Sequence, residues 1–314
     1  NINATQQIIL TNSGKIENTG TIKTTKAQTS LLSINATGTT GSIEHSGTIG
    51  SYGMIDMQAD KDILLNGGII RKENPGTNAQ LMPDILRMDA AGDLKMSNTS
   101  DVRNFTVVNN EANIYMHSGR DTFVDSQSIV GSNGGISIDA DRYVRLLDGS
   151  NTFSRYAPLT VHSRNGTLID NSRVTSRGDI HISASKDDNT KTADTVISNN
   201  SKITAEKNLT VSGERDAYIK SGSSIAGANE FALQAGRNAV IDNAGSIKVT
   251  NDAALQAGEL AYLKDSIQPI TIGKQLSIEG KQATVLNSTA NANDGIYITS
   301  QGKATTITNS TLNS

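Results

Sequence analysis

Apolar residues recur along the chain in short apolar-x-apolar pairs. The second member of each pair falls at Leu10, Ile34, Met57, Met88, Met116, Ile138, Val161, Ile182, Val211, Leu233, Leu255, Ile278 and Ile298. Successive intervals are 24, 23, 31, 28, 22, 23, 21, 29, 22, 22, 23 and 20 residues, so nine of the twelve lie between 20 and 24. A fixed period of this length marks a repeat architecture in which every unit is one supersecondary element. The three longer intervals contain extra polar sequence and predict inserted loops rather than a change of period.

Position within the period says what the unit is. Two residues before each anchor the side chain is always apolar, from Ile8 and Leu32 to Phe231, Ala253 and Ile296, which predicts one inward face of a strand. Two residues after it the side chain is small in every unit but the first, where Asn12 stands, and this predicts a corner turning into a narrow interior. Apolar residues return eight positions after the anchor, at Leu65, Met96, Val124, Leu146, Ile169, Ile219, Ile241, Leu263 and Leu286. A third set, at Ile22, Ile49, Ile70, Val102, Ile129, Val174, Ile225, Ile247 and Ile267, completes three short strands per unit. Near the end of the second strand, Asn66, Asn98, Asp125, Asp170, Asp242, Asn243 and Asn287 predict turns with left-handed backbone and side-chain ladders. One such coil cannot bury its inner side chains alone, whereas coils stacked at about 4.8 Å pair every strand in parallel and fill a continuous core. The predicted fold is all-β: a parallel β-helix, or β-solenoid, running over 1–314, with regular coils at 1–70 and 206–314 and irregular ones at 71–205.

Composition fits such a column better than a compact core. Only 35% of the 314 residues are hydrophobic and 4% aromatic, while Gly numbers 28. The net charge of -3 gives no global electrostatic reason to expect nucleic acid as a partner. Cysteine is absent, which excludes disulfides, thiolate nucleophiles and Cys-zinc sites. No cofactor motif occurs: there is no Gly-rich phosphate loop, G-x-S-x-G, H-E-x-x-H or calcium nonapeptide. The start, NINATQQIIL, lacks both an initiator Met and a basic leader, and predicts an internal piece of a longer chain.

The units NSGKIENTGTI (12–22), GMIDMQADKDILLNGG (53–68), FALQAGRNAVIDNAGSI (231–247) and AALQAGELAYLKDS (253–266) resemble the repeats of filamentous haemagglutinin and of the exoproteins of contact-dependent growth inhibition. The resemblance implies a right-handed β-helix, export by an outer-membrane two-partner-secretion transporter, and display on a Gram-negative surface. It further implies non-enzymatic binding of an outer-membrane protein or lipopolysaccharide on a neighbouring cell, with a host-cell adhesin or a structural spacer as alternatives. No Asn-Pro-Asn occurs, so the chain would be a central part of the filament.

Contact residues are expected in two places. Insertions at 71–84, 103–112 and 186–194 escape the stacking rule and carry Arg71, Lys72, Lys186 and Lys191. The run 142–164 concentrates Arg142, Tyr143, Arg145, Phe153, Arg155, Tyr156 and Arg164, residue types that serve as interface anchors and suit sugar or phosphate groups. Against this, Lys61, Arg120, Arg142, Lys186, Arg215 and Arg237 all lie four residues after an anchor, which predicts a turn feature. One residue after the anchor, Asp89, His117, Asp139 and His162 predict an outward row. Such a row is either a polar ladder or, as in a polysaccharide-degrading β-helix enzyme, a metal or acid–base site.

Overall fold

The computed structural model describes residues 1–25, 30–72, 85–105, 112–185 and 192–314. Among them there are forty β strands and no helix. The chain forms two compact units, Asn1–Thr160 and Val161–Ser314. Each is a three-stranded-per-turn parallel β-solenoid, in which every coil gives one strand to each of three sheets.

In the first unit the anchor sheet runs Gln7–Asn12, Leu31–Ala36, Met54–Ala59, Ile85–Ala90, Asn113–Ser118 and Ile136–Ala140 in spatial order. The predicted anchors are stacked directly, Leu10 on Ile34, Met57, Met88, Met116 and Ile138. In the second unit Ile182 meets Val211, then Leu233, Leu255, Ile278 and Ile298 in the same way. The strand Leu159–Ser163, with anchor Val161, spans the division between the units.

Alternation decides the interior. Strands such as Leu31–Ala36 and Met54–Ala59 place every second side chain inward, so a few Ile, Leu and Met per coil suffice. Leu32, Met57, Met88 and Leu233 are all fully buried. Burial of each such side chain contributes about 1.5–3 kcal/mol. The small corner residues behave as the sequence predicts at Ala36, Ala90, Ala140 and Ala184, which are buried. At Gly213 an added Cβ would stand 2.0 Å from the Asp216 carbonyl oxygen, so the corner there admits no side chain.

Three apolar expectations are displaced by one or more residues. Val130, not Ile129, is buried on the strand Ile129–Ser132. Val285, not Leu286, stacks under Leu263. Ile267 is 54% exposed, and Ile270 and Ile272 fill the core instead. The corner residues shift as well: Asn98, Asn243 and Asn287 have positive φ, but after Asn66, Asp125 and Asp170 it is Gly67, Ser126 and Asn171 that do. The left-handed residue that reverses the chain also builds the ladder, since Asn98, Asn199, Asp265 and Asn287 all have positive φ. Accordingly Asn98 donates to Asn66, Asn199 to Asp170 at 2.6 Å and Asn287 to Asp265 at 2.8 Å.

Candidate functional site

The outer face of the third sheet in the first unit carries a cluster built from four coils. The strands Ile69–Lys72, Asp101–Asn104, Ile129–Ser132 and Asn151–Ser154 are in register, and this aligns Arg71, Arg103, Gly131 and Phe153 in one outward row. Gly131 makes the row possible, because a Cβ there would meet the Phe153 ring at 2.5 Å. Phe153 leans on Phe105, with ring centroids 5.8 Å apart and planes tilted by 38°. Two guanidinium groups share that second ring: Arg155 lies 4.6 Å and Arg103 5.7 Å from the Phe105 centroid. Such cation–π contacts hold long cations in fixed positions against solvent.

Asp101 anchors the cluster from below. Its carboxylate is mostly buried and accepts from Arg71 at 2.7 Å and from Arg103 at 2.6 Å. One buried anion thus orients two exposed cations, and Arg155, which also donates to Asn133 at 3.4 Å, adds a third. Taken alone, these groups carry a net charge of +2 beside an aromatic surface. The combination suits an anionic or hydroxyl-rich partner that can stack and accept bidentate hydrogen bonds. Tyr156 stands next to it, 52% exposed. Residues 73–84 and 106–111, which the chain inserts directly after strands of this sheet, lie outside the described residues.

The remaining members of the predicted cluster are elsewhere. Tyr143 and Arg145 belong to the second sheet, where the Arg145 guanidinium lies 5.0 Å from the Tyr143 ring and 5.3 Å from Phe123. Arg142 shows the expected turn feature: it makes a bidentate pair with Asp121 of the preceding coil, both bonds at 3.1 Å. Arg215 does the same with Asp194 and Arg237 with Asp216, while one Arg120 nitrogen bridges Asp62 and Asp93, both at 3.0 Å. Burial alone would push the Asp216 carboxyl up, but hydrogen bonds from Arg237 and Tyr218 overcome it and hold the group below the usual carboxylate range. Arg164 is exposed in the second unit. Lys72 must be removed from the contact surface. It points into the corner row that also holds Ser51 and Asn104, and only 5% of it is exposed. Lys186 and Lys191 lie outside the described residues.

The acid–imidazole row is present in part. Asp89, His117 and Asp139 are aligned on the anchor sheet. His117 Nδ1 is 3.0 Å from Asp89, and Nε2 is 3.7 Å from Asp139. The two ring nitrogens point in opposite directions along the row, so the three groups do not converge on one point, and no metal-binding group of three occurs among the described residues. Burial raises the Asp89 carboxyl, yet hydrogen bonds from His117 and Arg87 bring it below its ordinary value. His162, in the second unit, pairs with the Ser183 hydroxyl at 2.9 Å. The geometry is that of a polar ladder.

Sequence reasoning missed Asp101 and Phe123, and treated Arg103 and Phe105 as part of a loop. Their signal was available: Arg103 lies one coil from Arg71 at the same outward position, and Asp101 stands two residues before it. Comparison of the chain with protein-family models, with curated proteins and with solved structures gives no match.

Proposed function

We propose that the chain is a non-enzymatic binding segment of a secreted, surface-displayed filamentous exoprotein, whose first unit contacts an outer-membrane protein or lipopolysaccharide of a neighbouring Gram-negative cell. One observation carries this reading: on one outer face a buried aspartate holds Arg71 and Arg103, while Arg155 lies over the Phe105 ring that packs on Phe153. A solenoid needs none of these residues for its stacking, because its energy lies in the inward rows. Arg and half-buried Phe organised by a second layer of contacts are the composition of an interface hot spot. The repeat resemblance supplies the cellular setting.

A pull-down from outer-membrane extracts with the intact chain tests the reading. The expected result is retention of a defined protein or of lipopolysaccharide, lost with Phe105→Ala or Arg155→Ala. Equal retention by both variants contradicts it. The alternative of a structural spacer is favoured by the even coils of the second unit, where Val211, Leu233 and Leu255 repeat at 22 residues. Exchange of the first unit's coils for copies of these, without loss of adhesion, would establish the spacer.

A further inference from the structure

The second unit contains an open groove of about 440 Å³ at the corner that follows its anchor sheet, far along the chain from the arginine cluster. One wall is a ladder of polar side chains at a single outward position, Gln234, Gln256 and Glu279, in register on adjacent strands. Gln234 donates to the Gln256 carbonyl oxygen at 3.0 Å, and Gln301 donates to Glu279 and covers one end. The floor is low because glycine is enforced: a Cβ at Gly213 would meet the Asp216 carbonyl at 2.0 Å, and one at Gly236 the Glu214 carbonyl at 2.1 Å. From this arrangement we propose that the groove is a binding site for a neutral linear oligosaccharide, independent of the arginine face.

The ligand class follows from what the ladder leaves unused. After the internal pairings, Gln234 retains a carbonyl oxygen, Gln256 its amide N–H groups and Glu279 a carboxylate oxygen with no partner among the described residues. Acceptor, donor and acceptor thus alternate from coil to coil. Hydroxyl groups both donate and accept, so a chain of sugars satisfies all three. A polyanion only accepts and meets the Glu279 charge; a polyamine cannot use the Gln256 donor. An extended peptide finds no sheet edge to join, because the strands Phe231–Ala235 and Ala253–Ala257 are already paired on both sides. The repeat of the protein matches a polymer that presents equivalent groups at regular steps.

Calorimetric titration of the intact chain with an array of neutral linear oligosaccharides, with oligogalacturonate as the anionic comparison, tests the assignment. At least one neutral glycan is expected to bind. Gln256→Ala should weaken it about fivefold or more, and Arg155→Ala should leave it unchanged, which separates this site from the arginine face. Glu279→Gln should reduce the preference for neutral over anionic ligands. The Gln256→Ala protein must melt with the parent for its loss to count. A Gln256→Asn variant, which keeps the amide but shortens its reach, should lie between. Absence of binding across the neutral array overturns the proposal. So does an affinity unaltered in Gln234→Ala/Gln256→Ala, or a stronger response to oligogalacturonate.

Discussion

The outer face of the anchor sheet reads differently in the two units, although the inner face is the same. Along one outward row the first unit presents Ile9, Ser33, Asp56, Arg87, Tyr115 and Ser137. The second presents His181, Thr210, Ala232, Ala254, Ser277 and Tyr297 in a row of its own. The first carries the charges of Asp56 and Arg87 at its centre, whereas the second is small from Thr210 to Ser277, between His181 and Tyr297. Inward, both stack Ile, Leu and Val, with Met57, Met88, Met96 and Met116 added in the first unit. Stability is therefore carried by the inward residues, and the outward residues of the same strands can diverge without conflict.

The largest expected effect tests the shared interior. Met88→Ala in the first unit and Leu233→Ala in the second should each cost about 2–5 kcal/mol in denaturant unfolding, because both are fully buried. A much smaller loss at Met88 would break the equivalence of the two cores. Next come the carboxylates. Asp216, with its side chain only 2% exposed, should cost about 2–4 kcal/mol when replaced by Ala, since Arg237, Tyr218 and the Asn238 N–H all lose their acceptor. Asp89, 30% exposed in its ladder, should cost under about 1 kcal/mol.

A smaller effect is confined to the first unit and depends on pH. His45 is buried. Asn18 pairs with its Nδ1 at 3.0 Å, and Nε2–H donates to the Ile69 carbonyl at 3.2 Å. Burial disfavours its protonated form and holds its pKa below the ordinary 6.5. The unfolded chain therefore takes up the proton first on acidification. The stabilisation is complete above the unfolded value and is lost as pH falls through the lower folded value. His45→Gln should flatten this slope in melting curves between neutral and mildly acidic pH; an unchanged slope would assign it to other groups. Smallest of all in stability, Arg155→Ala should move the unfolding free energy by no more than about 0.5 kcal/mol while weakening binding.

Most of the fold was legible because stacking fixes residue type at each inward position: a polar residue at Leu233 or Met88 would leave a void or an unpaired group in every neighbouring coil. The failures fall where one residue more or less at a corner changes which neighbour turns inward, as at Ile129, Leu286 and Ile267. Period alone cannot count corner residues. The site was less legible for a related reason. Arg142 was set apart by its place four residues after an anchor, whereas Arg155 and Arg164 look alike in a linear run, and only register places Arg155 on the Phe105 ring. Lys72 looked exposed because it borders an insertion, whereas strand alternation turns it inward.

Titration of outer-membrane vesicles from Gram-negative cells with the intact chain is the most direct test that the first unit's arginine–phenylalanine face is the contact surface. Saturable binding is predicted, about tenfold weaker for Phe105→Ala/Arg155→Ala at unchanged melting temperature and unaffected by Lys281→Ala in the second unit. Indistinguishable isotherms for all three proteins, or no binding by any, would contradict it.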